Sequence, residues 1–269
     1  MMHRVIVLAM CSVSAAVLGI AGGAAPAAAQ SCRAPRAVVD TILKLRYCSD
    51  PAFDGVIDAQ MRKILGDVRA ARQAGKLIIY ASTPISPRGG GIEKVNIEIA
   101  ASVKARLEKT YGGGAWVLDP GAYQMPNVGA TPPGGGEYMV MFTRLLAGDD
   151  GAGRDFDMVH FTGPGDMHAF FGCRDDLTGC LARWLTARAA SDADIRKVAE
   201  NPDARRAFLR YYAMRASAAY SAGAHDEWNI FVRINRKRTL GDQIAMFFDG
   251  RPVGLAEMDV EIAPGYEVR

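Results

Sequence analysis

Residues 76–83 read KLIIYAST, an apolar, β-branched run closed by Pro84. A run of this length bounded by a turn signal has the look of a strand buried on both faces of a parallel sheet. Beyond Pro84 the pattern alternates in kind. The loop ISPRGGG (85–91) leads into IEKVNIEIAASVKARLEKTY (92–111), whose apolar positions keep helical period, and Gly112-Gly113-Gly114 stops it. AWVLDPG (115–121) reads as a second strand ending in a turn. A Pro- and Gly-rich loop spans 122–136, and EYMVMFTRLLA (137–147) reads as a helix. DFDMVHFTGPGD (155–166) reads as a third strand with a glycine-rich loop at its end. Strand, helix, strand, helix, strand implies right-handed crossovers and parallel pairing.

Working outward, residues 175–222 read as two or three helices broken at Asn201-Pro202, an inserted or capping unit. DEWNIFVRINRKR (226–238) predicts a helix, and DQIAMFF (242–248) a fourth strand before the Asp249-Gly250 turn. The tail VEIAPGYEV is either an edge strand or a surface covering. The predicted architecture is α/β: an open, mostly parallel, doubly wound sheet of the flavodoxin- or Rossmann-like kind with an added helical segment. Residues 76–269 form this domain, with the insert at about 175–222. Residues 30–75 are expected to be a helical preface, from apolar spacing over 37–46 and 54–74 with Asp50-Pro51 between them.

Residues 1–29 read as an address. Arg4 precedes an apolar run from Val5 to about Ile20, and Ala27 and Ala29 make an A-x-A cleavage signal before Gln30. The run falls short of the roughly 20 apolar residues of a spanning helix, so cleavage is expected rather than an anchor. The mature chain then has no membrane span and is periplasmic or secreted. It keeps Cys32, Cys48, Cys173 and Cys180, an even set that reads as disulfides in an exported protein. Three connectivities exist, and proximity in sequence favours Cys32–Cys48 and Cys173–Cys180. No C-x-x-C pair supports a thiolate metal site. The 269 residues are 49% hydrophobic and 23% charged, which excludes a disordered chain. A formal charge of +3 is too small to argue for nucleic acid. The expected partner is a small molecule, with no cofactor and no metal called for.

Open α/β sheets bind ligands at the carboxyl ends of their strands. The polar residues predicted there are Tyr80, Ser82, Thr83, Arg88 and Gly89–Gly91 after strand one. Asp119 follows strand two, and Thr162, Gly163, Gly165 and Asp166 follow strand three. His225-Asp226-Glu227 opens the helix before strand four. Tyr80, Arg88, Asp119, Thr162 and Glu227 are expected to converge on one pocket. Each also has a structural reading. The glycines around Gly90 suit a flexible turn as well as an anion, and Asp226 suits an N-cap. Glu227 suits a first-turn acid that the helix dipole keeps ionised. Asp157 lies within strand three, where a buried acid needs a partner. His160 and His168 with Asp166 match no strong metal spacing. The phosphate-loop, G-x-S-x-G and H-E-x-x-H motifs are absent.

The order of these pieces resembles the nucleoside 2-deoxyribosyltransferase-like superfamily. The resemblance rests on IIYASTPIS, VLDPG, FDMVHFTGPGD, GAHDEWNIF and GDQIAMFFDGRPV, over about residues 76–166 and 223–253. It implies that Glu227 is the nucleophile at an anomeric carbon, that Tyr80 orients it and that Asp157 is the strand acid. The chain departs from the pattern at Phe142-Thr143-Arg144, where that family carries an acid. The 175–222 insert and the export signal depart from it too. The expectation is an exported enzyme acting on an N-glycosidic, nucleoside- or nucleotide-like bond through a carboxylate, as a transferase or hydrolase. Thr83, Arg88, Gly90, Asp119, Thr162, Gly163, Asp166 and His225 would bind substrate. The alternatives are a non-catalytic periplasmic binding protein on the same scaffold, or a phosphate-ester hydrolase whose TGPGD loop holds phosphate.

Overall fold

The computed structural model describes residues 32–268. The cleavage signal over 1–29 lies outside the described residues. The chain opens with β1 (Ala37–Asp40) and β2 (Arg46–Ser49), an antiparallel hairpin with Ala37 opposite Ser49 and Asp40 opposite Arg46. This corrects the helix expected over 37–46. Leu43, Leu45 and Tyr47 are buried at every second position, a period of two that a helical template misreads. The turn closes through Thr41, whose hydroxyl accepts from the Leu45 N–H at 3.1 Å and donates to its carbonyl at 2.8 Å. Lys44 takes a left-handed backbone there, with φ of 60°. A disulfide joins Cys32 to Cys48.

Next comes α1 (Asp54–Gln73), then β3 (Leu77–Ser82), α2 (Glu93–Thr110) and β4 (Ala115–Leu118). They are followed by α3 (Gly135–Ala147), β5 (Met158–Phe161) and α4 (Pro164–Phe171). Pro164 therefore begins a helix, and the expected TGPGD loop is a helix start. The helical unit is α5 (Leu177–Ala189), α6 (Ala193–Glu200) and α7 (Pro202–Arg210), followed by a π-helical turn over Tyr211–Arg215. A second disulfide, Cys173–Cys180, ties its base. The chain then forms α8 (Ala222–Asn235), β6 (Ala245–Phe248) and the short β7 (Arg251–Pro252).

The main sheet has the order β4-β3-β5-β6-β7, parallel except for β7 at its edge. It is an open, doubly wound α/β sheet. Alternate residues of β3 face opposite layers. Ile78 and Tyr80 pack with α1, α3 and α8, whereas Ile79 and Ala81 pack with α2 and the helical unit. Leu45, Tyr47, Phe53 and Ile57 belong to the first of these cores, so residues 37–75 complete the domain. The tail forms no strand beyond β7. It lies along α8, where Asn229 brackets Ile262 (Oδ1 to its N–H at 2.8 Å, Nδ2 to its carbonyl at 3.1 Å). Arg233 grips Glu261 there through two contacts. Among the described residues no helix is long and apolar enough to cross a membrane.

Candidate functional site

The chain leaves β3 for β4 on one side and returns to β5 on the other. The crevice at such a switch point is where open sheets place ligands. Thr83, just past β3, and Thr162, just past β5, share a hydrogen bond of 2.7 Å there. The Tyr80 ring is fixed in the core by Phe142 and Phe231, both 5.8 Å away between centroids, which aims its hydroxyl at α8. That hydroxyl donates to Glu227 Oε1 at 2.5 Å, and the Ser82 hydroxyl donates to Oε2 at 2.5 Å.

Glu227 is buried, and its exposed sliver faces a cavity of about 490 Å³. Burial pushes its carboxyl up to about 7. The two hydroxyl donors pull the other way, and neighbouring Asp226 adds to the rise. Burial, with the nearby Glu227 charge, also holds the Tyr80 hydroxyl well above its usual range. The helix begins at Ala222, earlier than the sequence pattern indicates, so Glu227 sits in the second turn. Desolvation there outweighs the dipole effect that was expected to keep it ionised. Ser221 is the N-cap.

The cavity is also lined by Thr83, Glu93, Pro120, Tyr138, Phe142 and Tyr266. Glu93, Tyr138 and Tyr266 were not singled out from sequence. Glu93 carried a faint signal, as a first-turn acid after a glycine loop. Tyr266 carried none. It reaches the cavity because Asp226 accepts from the Gly265 and Tyr266 N–H groups at 2.8 and 2.6 Å.

Of the expected residues, Thr83 and Glu227 line the cavity, while Tyr80 and Thr162 are buried behind them, bonded to Glu227 and Thr83, and the other candidates lie elsewhere. Asp157 lies at the amino ends of the strands, where it accepts from the Ile78 N–H at 2.7 Å and pairs with Arg72. It is a structural acid on the opposite edge from Glu227. Asp119 turns back to cap its own turn through the Gly121 N–H at 2.7 Å. Burial raises its carboxyl above the ordinary range. Asp166 faces the other layer, bound to Arg106, His160 and the Gly163 N–H. Burial, then the Arg106 charge, lowers the His160 ring to about 4. Asp249 takes the Gly165 and Asp166 N–H groups at 3.0 and 3.1 Å, so the donors proposed for a phosphate at TGPGD are already used. A side chain on Gly163 would strike Asp249. His225 bonds the Ala219 and Ala263 carbonyls, and Gly90 packs on Ala207. Arg88 is exposed, its guanidinium 5.6 Å from the centre of the Tyr266 ring and its Nη1 3.5 Å from the Tyr266 hydroxyl.

Among the described residues no group of three or more His, Cys, Asp or Glu is placed to hold a metal. Compared with family models, curated proteins and solved structures, the chain matches none.

Proposed function

We propose that the chain is an enzyme that breaks or transfers an N-glycosidic bond of a nucleoside-like substrate, with Glu227 as the working carboxylate. The observation that carries this reading is the placement of Glu227. It is a buried acid, held on each oxygen by a hydroxyl, facing a cavity at the switch point of a doubly wound sheet. An ionised Glu227 would attack or stabilise the oxocarbenium-like anomeric carbon. The C–N electron pair then leaves with the base, and a proton must reach the departing nitrogen. Glu93 is the second acid on the cavity wall and fits that role. The Tyr80 and Ser82 donors fix the carboxylate and favour its charged form.

The lining favours an unphosphorylated substrate. Among the described residues no Lys or Arg lines the cavity, while two acids do. Two of the helices that open towards it carry an acid in their first turn, Glu93 on α2 and Glu137 on α3. The positive helix ends are thereby offset. Met125, Tyr138, Phe142 and Tyr266 suit the flat apolar face of a base. The two disulfides fit an oxidising compartment, and we place the mature protein in the periplasm or outside the cell.

The test is incubation of the mature protein with a panel of nucleosides, nucleotides and NAD, followed by product analysis. Free base, or base exchange, from unphosphorylated nucleosides is the expected result. No product from any of them overturns the reading. A rise in Tm with a nucleoside but without product would favour the binding-protein alternative. That alternative has one observation behind it: both Glu227 oxygens are already engaged by hydroxyls.

A further inference from the structure

We infer that the helical unit of residues 177–215 is a positioning element for the cavity loop, acting through Tyr212 and Asn96. The loop supplies Ile85, Ser86 and Pro87 to the cavity wall, and Glu93 follows it at the start of α2. Its outer side is cast against the unit. Gly90 has a φ of 113°, and a Cβ there would lie 2.7 Å from the Ala207 carbonyl oxygen on α7. A Cβ on Gly91 would meet the Tyr211 ring at 2.6 Å. Only glycine lets the loop lie this close.

The polar contacts run in one chain. Asn96, buried on α2, donates to the Ile85 and Ser86 carbonyls at 3.0 and 3.2 Å. Its Oδ1 accepts from the Tyr212 hydroxyl at 2.8 Å, and that hydroxyl accepts from the Ile92 N–H at 3.0 Å. The π-helical turn presents Tyr211 and Tyr212 side by side to the loop. Such single turns re-aim side chains and recur at functional sites. The Tyr212 ring is set by Phe171 and Phe208, at centroid distances of 5.0 and 4.6 Å, and Trp184 stacks on Phe208. The unit thus holds the cavity wall without touching Glu227, whose side-chain hydrogen bonds come from β3.

The inference rests on the cavity being where the ligand binds, and its test needs no ligand. Tyr212→Phe keeps the ring and removes the hydroxyl. Hydrogen exchange is read on the full mature chain for wild type, Tyr212→Phe and Tyr220→Phe, the last altering an exposed tyrosine. In Tyr212→Phe, amides of residues 89–93 should exchange about tenfold faster, the effect of one lost hydrogen bond. Amides of α5–α7 should hold, the Tm should fall by no more than a few degrees, and Tyr220→Phe should match wild type. With a nucleoside that wild type turns over, KM should rise by a larger factor than kcat falls, the fall in kcat coming from Glu93 at the edge of the loosened segment. Unchanged exchange at 89–93 overturns the inference. Faster exchange through all of α5–α7 with a larger fall in Tm also overturns it, since Tyr212 would then only hold the unit together. Failure of the N-glycosidic reading would appear separately, as wild type turning over no nucleoside.

Discussion

A carboxyl group titrating at about 7 is a cost to the fold and a means for chemistry. The Glu227 carboxyl moves from 4.5 to about 7 on folding because burial disfavours its charge. The folded state therefore binds the proton more tightly than the unfolded state between these values. The benefit of the neutral form is fully present below 4.5 and is lost as pH rises through about 7, a change on the order of 3 kcal/mol. Glu227→Gln removes that slope and leaves every other titrating group in place. Urea titrations at pH 5 and pH 8 should show the variant gaining on wild type at the higher pH. Parallel pH profiles would mean that Glu227 titrates in the ordinary range. Tyr80→Phe deletes a donor that favours the ionised form, so the acid limb of any activity profile, where activity rises as Glu227 ionises, should move to higher pH. At this scale Tyr80, Thr83, Thr162 and Glu227 were legible, because each lies beside a recognisable strand end or helix start. Asp119 and Asp157 were not. An acid near a strand end looks the same in sequence whether it caps a turn, pairs with Arg72 or faces a ligand.

Among the elements, α3 is the joint between the hairpin and the sheet. Its buried Glu137 accepts from Arg36 Nε at 2.9 Å, the Asp50 N–H at 2.9 Å and the Gly134 N–H at 2.8 Å. Burial pushes this carboxyl up, but the Arg36 and backbone donors together outweigh it and hold it below the usual range. Its contribution is present above the ordinary carboxylate pKa and fades as pH falls through the lowered one. Glu137→Gln should cost about 1–3 kcal/mol at pH 7, discounted because Arg36 is half-exposed. Chemical denaturation would measure it, and a loss below about 0.5 kcal/mol would contradict the joint. The disulfides act at the same scale, with sequence separations of 16 and 7. Replacing either pair by Ser should cost roughly 2–3 kcal/mol through the denatured chain. Peptide mapping without reduction should find both linkages and no free thiol. The helices and parallel strands from 76 onward were legible from their periods. The hairpin was not, because AVVDTILKLR also fits a helical template. The tail was not, since its hold on α8 comes from side chains about thirty residues away.

At the scale of the molecule, the β4-β3-β5-β6-β7 order puts the chain's reversal between β3 and β5, and the cavity opens at that crevice. Alternation along β3 turns Tyr80 and Ser82 towards α8, and the tail brings Tyr266 to the rim by way of Asp226. The fold thus gathers residues from β3, α2, α3, α8 and the tail around one carboxylate. The most direct measurement of what that carboxylate does is base release from unphosphorylated nucleosides at pH 8, where Glu227 is ionised, by wild type and Glu227→Gln in parallel. Wild type should give product, and the variant should be slower by about a thousandfold or more with its fold intact. Product formed by the variant at the wild-type rate, or nucleosides left whole by wild type, would contradict the role given to Glu227.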